Sequence, residues 1–317
     1  MASEEYPVHF AEDGIEGATV RTGCMSRAAA HPKADRLSEA EMDRRAEVCR
    51  KLLVTAGQLA MEGYARQGAV QPVAMKGPQD FLTETDGKVE EHIRATLADA
   101  FPQDGFLGEE GGGIGSARMW VVDPIDGTAN FMRGIPHFCI SIAFVEDGRS
   151  EIGGIANPAI GETYFARRGQ GATRNGAPIH VSPTQAFDRA FVEFGWSPRI
   201  PNREYLDKVS LVWALGANVR RSGSGALGLA YVADGRSDAY AELHINSWDC
   251  LAGLLLVEEA GGRVNRFLDG DGMAKGNPVL AAAPGVAATL SQVIGVPLDD
   301  GWIVSSEKTG RNIDEDI

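Results

Sequence analysis

Two periodicities alternate along this chain. Behind Ser38-Glu39-Ala40-Glu41, whose Ser-x-x-Glu spacing is that of a reciprocal helix cap, the positions Ala46, Cys49, Leu52, Leu53, Ala56, Leu59 and Ala60 recur at the intervals of one helical face. A second helical stripe follows Thr85-Asp86, with Val89, Ile93, Leu97 and Ala100 inward and Pro102 as its stop. FLGEE and WVVD read as strand ends. From Phe138 the period shortens. CISIAFVEDG, SEIGGIANP and GETYFARR are β-rich runs punctuated by Gly, Asp and Pro, and Asn175-Gly176 between short runs signals a hairpin turn. Beyond Pro183 strand and helix patterns alternate: FVEFGW, REYLDKVSLVWALG, ANVRRS, GALGLAYVADG, DAYAE and DCLAGLLLVEEAGG. Elements of both kinds in both halves predict an α/β or α+β layered fold. The expected organisation is an arm over residues 1–36, an N-terminal α+β half over 37–184, a C-terminal α/β half over 185–297 and a polar tail over 298–317.

Composition narrows the function classes. With 317 residues, 44% hydrophobic and 23% charged, the chain can bury a sizeable core. Its formal net charge of −14 argues against a nucleic-acid backbone as partner. A small phosphorylated substrate stays open, because bound cations reverse the local sign. The four cysteines, Cys24, Cys49, Cys139 and Cys250, form no CxxC, so neither a disulfide scaffold nor a zinc site is expected. The opening MASEEYPVHFAEDGIEG is acidic with no apolar stretch, and no run approaches the ~20 apolar residues of a membrane span. The expectation is a cytoplasmic protein without a membrane partner.

The chemistry gathers where hydrophobic runs stop on acids. In WVVDPIDGTANF, Asp123 and Asp126 flank Pro124-Ile125. Alone, Asp-Pro-x-Asp-Gly is sound turn chemistry, with Asp126 able to cap a short helix running to Gly134. The same turn can aim two carboxylates and the Ile125 carbonyl at one point, and hard oxygen donors suit Mg²⁺. Gly127 and Thr128 would then open a helix whose free N–H groups favour phosphate. Glu109-Glu110 in FLGEEGGG reads alone as a solvated loop, and Asp249 in NSWDCLAG as the N-cap of an apolar helix. Were these acids to converge, each pair at ~4 Å would cost about 4 kcal/mol at an effective dielectric near 20, which cations would have to offset.

In their order GEE, WVVDPIDGTANF and WDCLAG, the motifs resemble the signature of the inositol monophosphatase family, magnesium-dependent and lithium-sensitive phosphatases. Lys76–Asp86, Ala166–Ser182 and Gly235–Glu242 also look like family segments, and the likeness runs from about Ser38 to Val296. The resemblance implies an αβαβα sandwich and direct attack of a metal-activated water on a small phosphorylated alcohol, inositol monophosphate first. Histidinol phosphate, fructose 1,6-bisphosphate and 3′-phosphoadenosine 5′-phosphate are the alternatives. It implies two or three Mg²⁺ ions held by Glu109, Asp123, the Ile125 carbonyl, Asp126 and Asp249, with Asp123 bridging. Thr128 and Asp86, helped by Glu109, would orient the water; Gly127 and Thr128 would cradle the phosphate. Asp126, Gly225, Glu242 and Asp249 would meet the substrate. Members acting on inositol phosphate commonly carry Ala where Gly225 stands, so a roomier pocket is expected here. A homodimer is also implied.

Three rivals are weaker. A phospho-aspartyl phosphatase needs Asp-x-Asp, whereas the spacing here is Asp-x-x-Asp. GSGALG from Gly223 to Gly228 fits GxGxxG, yet ANVRRS before it is no buried aliphatic strand. A regulatory protein acting through partners, including the transcription machinery, would not need the complete acidic set.

Overall fold

The computed structural model of the protein describes residues 36–66, 73–77, 80–113 and 116–299, with backbone alone at 73–77 and 80–82. The expected arm, apart from Arg36, and the tail beyond Asp299 lie outside the described residues. The helices are α1 (Glu39–Tyr64), α2 (Glu84–Ala100), α3 (Thr128–Met132), α4 (Asn202–Ala214), α5 (Gly225–Ala233), α6 (Ser247–Glu259), α7 (Gly272–Lys275) and α8 (Pro284–Ile294). Helix α1 starts at the predicted cap: Glu41 Oε2 accepts from Ser38 N at 2.9 Å and from Ser38 Oγ at 2.7 Å. Helix α2 begins earlier than the apolar stripe suggests, because Thr83 is its N-cap and Asp86 Oδ2 accepts from Thr83 N at 3.1 Å. Asp86 therefore sits inside the first turn. None of these helices is long and apolar enough to cross a membrane.

Two main sheets order the molecule. The larger has eight strands, in the order Ala177–Pro178, Ala172–Arg174, Glu162–Arg167, Arg149–Asn157, Cys139–Glu146, Arg118–Asp126, Gly105–Gly108 and Gly112–Gly113. Its strands pair antiparallel except Gly105–Gly108 with Arg118–Asp126. The smaller runs Asn218–Arg220, Phe191–Phe194, Ala239–Ile245, Asn277–Ala282 and Arg263–Val264. A hairpin pairs Val73–Gly77 with Asp80–Thr83. The apolar pattern does not predict this hairpin, nor Arg263–Val264, Asn277–Ala282, α7 and α8.

Alternation along each strand sets the layers. Trp120 and Val122 join the core under α1 and α2, while Met119 and Val121 join the core around α5 and α6. Tyr240, Val279 and Ala281 meet that second core from the smaller sheet, whose Val192, Ala239 and Leu280 face Val209 and Val212 of α4 and Val286 and Leu290 of α8. Helices α5 and α6 are apolar on nearly every side because sheets cover both their faces. The order α1/α2, eight-stranded sheet, α5/α6, five-stranded sheet, α4/α8 is the αβαβα sandwich implied by the resemblance.

Gly153 and Gly154 let helices close in on both faces of one strand. A Cβ at Gly153 would lie 2.7 Å from the Ala252 carbonyl of α6, and one at Gly154 would lie 2.6 Å from Leu53 Cδ1 of α1. At Gly153 the obstacle is backbone, which cannot rotate away. Gly153→Ala should therefore cost about 1–3 kcal/mol, as overpacked cores do. Urea unfolding checks this: the midpoint should fall, and an unchanged midpoint would refute the close approach.

Candidate active site

A bulge solves the geometry of Asp-Pro-x-Asp. On a regular strand, residues three apart point to opposite faces. Here Asp123 pairs with Ser141 and Asp126 with Cys139, so Pro124 and Ile125 together oppose Ile140 alone. The extra residue returns Asp126 to the face Asp123 occupies, and Pro124 is tolerated because a bulge leaves a ladder donor unused. Both carboxylates thus face the α5/α6 layer, with Ile125 buried on the other side among the α1/α2 core residues.

The helix N-termini of that layer meet them. Ser224 caps α5, and Asp126 Oδ2 accepts from Ser224 Oγ at 2.5 Å and Ala226 N at 2.7 Å, while Oδ1 accepts from Gly225 N at 3.3 Å. These are the N–H groups a dinucleotide at GSGALG would need, and Asp126 already uses them. Asp249 is not an N-cap: Asn246 caps α6, and Asp249 stands in its first turn, accepting from Asn246 N at 3.3 Å. From there it reaches the strand end. One oxygen from each of Asp123, Asp126 and Asp249 lies within 4.8 Å of the others. Asp123 is 2% exposed and Asp126 8%.

Such crowding is written in the proton affinities. Burial, then the charges of Glu109, Asp126 and Asp249, push Asp123 well above the usual carboxylate range, and a hydrogen bond joins it to Asp249. Asp249 is raised by burial and by Asp126 and Glu109. Burial raises Asp126 too, against its donors at Ser224, Ala226 and Gly225. Clustered hard oxygens that repel one another are the donor set a divalent cation fits. Glu109 belongs to this neighbourhood: its N–H donates to the Val122 carbonyl at 3.2 Å, one residue before Asp123.

Glu90 positions the Glu109-Glu110 loop and escapes the sequence reading. Only 4% exposed, it accepts from Glu110 N and Gly111 N, each at 2.9 Å, and from Arg94. Its signal was an acid on the stripe of α2 that buries Asp86, Ile93 and Leu97. Asp86 itself is fully buried and raised to about 6, first by burial and, among charges, by Glu110. It accepts from Thr128 Oγ1 at 3.4 Å, and the same hydroxyl lies 3.0 Å from the Ile125 carbonyl. Gly127 is the cap of α3 with φ +92°, and a Cβ there would sit 3.0 Å from the His137 carbonyl, so glycine is required.

A cleft of about 160 Å³ opens beside Asp126 and Asp249, with Glu242, Tyr240, Trp196 and Arg221 in its walls. Glu242, 8% exposed, accepts from Tyr240 Oη at 2.6 Å, and burial raises it to about 7. The expectation of extra room at Gly225 is corrected here. A Cβ would meet Ile245 Cδ1 at 2.9 Å and Tyr240 Oη at 3.0 Å, so the space is filled by Tyr240 and Ile245.

Fold and site together define a class: layered phosphatases in which clustered carboxylates can serve a metal ion. A sequence model of the inositol monophosphatase family matches residues 41–294, and the chain belongs to that family of phosphoric monoester hydrolases. It is 39% identical over 256 residues to an inositol-1-monophosphatase of Rhizobium meliloti, covering 78% of this chain and 96% of the relative. To the Nus factor SuhB of Xylella fastidiosa it is 44% identical over 202 residues, 63% of this chain and 74% of the relative. The extragenic suppressor protein suhB of Bartonella henselae superposes with a TM-score of 0.73 at 34% identity, over 81% of this chain and 98% of that one.

Proposed function

We propose that the protein is a Mg²⁺-dependent phosphomonoesterase acting on small phosphorylated alcohols, with inositol monophosphate the substrate that the names of its relatives suggest. The observation carrying this reading is the convergence of Asp123, Asp126 and Asp249 from distant segments, beside the Thr128–Asp86 pair. These three carboxylates, with Glu109 and the Ile125 carbonyl, would hold two or three ions. Bound there, Mg²⁺ would lower the pKa of a water and neutralise phosphate oxygens.

The chain's own groups do the positioning. The Thr128 hydroxyl has its proton drawn to the Ile125 carbonyl or to Asp86, which leaves its lone pairs to accept from the attacking water. With a pKa of about 6, Asp86 is anionic at neutral pH and supports that orientation. The N–H groups of Gly127 and Thr128 precede the first bond of α3 and can donate to phosphate. Glu242, in the wall of the same cleft, would accept from a hydroxyl of the alcohol. Homodimer formation belongs to the same reading and is measured by sedimentation velocity.

Phosphate release from inositol 1-phosphate, histidinol phosphate, fructose 1,6-bisphosphate and 3′-phosphoadenosine 5′-phosphate tests the proposal. Turnover should require Mg²⁺, stop on chelation and fall in millimolar LiCl but not in NaCl. No release from any of the four with Mg²⁺ present would overturn it. A second reading, a regulatory role through a protein partner, draws on the name Nus factor SuhB carried by several relatives. Stable association with purified transcription machinery in the absence of any metal-dependent turnover would favour it.

A further inference from the structure

Asn130 stands between the turn that carries Thr128 and the loop that carries Ser224. Its Nδ2 donates to the His137 carbonyl at 2.8 Å and to the Ser222 carbonyl at 2.9 Å. Both acceptors are carbonyls, so only the amide nitrogen can face them, and each of its hydrogens has a partner. The backbone around it is fixed as well. Asn130 N donates to the Gly127 carbonyl at 2.9 Å, and Ile135 N donates to the Asn130 carbonyl at 3.0 Å.

The two segments that Asn130 joins also close around Gly127. A Cβ there would lie 3.0 Å from the His137 carbonyl and 3.3 Å from both the Gly223 carbonyl and Ser224 Cβ. Gly223, at φ +83°, runs close to Asn130 itself, since a Cβ on it would lie 3.4 Å from Asn130 Nδ2. A second tie holds the same loop: Ser222 Oγ donates to the buried Glu193 at 2.7 Å. Two groups of the site hang on this junction. Thr128 lies two residues before Asn130, and Ser224, which donates to Asp126, lies two residues after Ser222. Asn130 and Ser222 are 92 positions apart in the chain, so the amide joins segments that meet only in the fold.

We propose that Asn130 is a positioning residue: by locking the Gly127–Thr128 turn to the loop at Ser222, its amide sets the Thr128 hydroxyl against the Asp126 carboxylate. The inference rests on the phosphatase reading and adds a residue to its machinery. Two donors from one planar group fix both the distance and the orientation of the segments they bridge. Misplacing a reacting group by about 1 Å costs on the order of 100-fold in rate. The transition state feels that misplacement more than the bound substrate does.

The test compares wild type with Asn130→Ala, Asn130→Gln and Asn130→Asp. In chelator, hydrogen exchange over residues 126–131 and 220–226 should quicken at least about tenfold in Asn130→Ala, with the rest of the chain near wild type. With Mg²⁺ and the ester that wild type hydrolyses fastest, kcat should fall at least about 30-fold while KM stays within about threefold. Inhibition by orthovanadate, which mimics the phosphoryl group in flight, should weaken at least about tenfold. Mn²⁺ binding followed by electron paramagnetic resonance should stay within about threefold of wild type, because the carboxylates remain. Asn130→Gln keeps the two donors and should recover part of kcat; Asn130→Asp keeps the shape without the donors and should recover none. Exchange quickened evenly along the whole chain, a loss carried by KM alone, or Asn130→Asp as active as wild type would overturn this inference and leave the phosphatase reading standing. Absence of release by wild type would overturn the phosphatase reading, and the role in turnover with it.

Discussion

Asp126→Asn should lower turnover at saturating Mg²⁺ at least about 100-fold, which corresponds to a loss of about 2.7 kcal/mol of transition-state stabilisation. The substitution removes a charge where positive ions are expected to meet the phosphate. It spares most of what Asp126 does for the fold. The asparagine carbonyl can still accept from Ala226 N and Ser224 Oγ, the two shortest contacts tying the bulged strand to α5. The far-ultraviolet spectrum and the unfolding midpoint should therefore stay near wild type while phosphate release collapses. Near-normal turnover would count against Asp126 as a ligand.

The variant Asp123→Asn should do two opposite things. With chelator present at pH 8 it should be more stable than wild type, because one of three crowded carboxylates has lost its charge. Each close pair costs about 4 kcal/mol at most at an effective dielectric near 20, so a gain of about 1–3 kcal/mol is expected. The sign with pH follows from the raised carboxyl. A folded-state pKa above the unfolded one contributes stability below the unfolded value, and that contribution is lost as pH rises through the folded one. Wild type and variant should thus converge near pH 4 and separate toward pH 8. Mg²⁺ should reverse the order at pH 8, raising the wild-type midpoint by mass action and the variant's little. Scanning calorimetry with and without Mg²⁺ at both pH values reads all four states. A variant less stable than wild type in chelator would show that Asp123 is not under repulsion.

Local chemistry made part of this site legible. Asp123, Pro124, Asp126 and Gly127 are neighbours, and the bulge and the positive φ that they need are properties of those residue types. Asp249 was legible as an acid at the start of an apolar helix, though its place is the first turn rather than the cap. What escaped depends on long-range meeting. Ser224 reaches Asp126 across 98 positions and Glu90 reaches Glu110 across 20, and neither carries a local pattern that announces a partner. The crowding at Gly225 comes from Tyr240 and Ile245 on another strand, so residue size alone pointed the wrong way. From the residues only a layered fold of mixed elements was legible, and the layer order came with the family resemblance. The structure gives its physical sense, since α5 and α6, apolar on nearly every side, are covered on both faces.

Anomalous diffraction from crystals soaked in Mn²⁺, a stand-in for Mg²⁺ with a strong signal, tests the metal-cage claim most directly. The account predicts peaks bounded by Asp123, Asp126 and Asp249, with Glu109 at the edge and the Ile125 carbonyl within reach. Peaks confined to other acidic surfaces, with these carboxylates bare at saturating Mn²⁺, would contradict it.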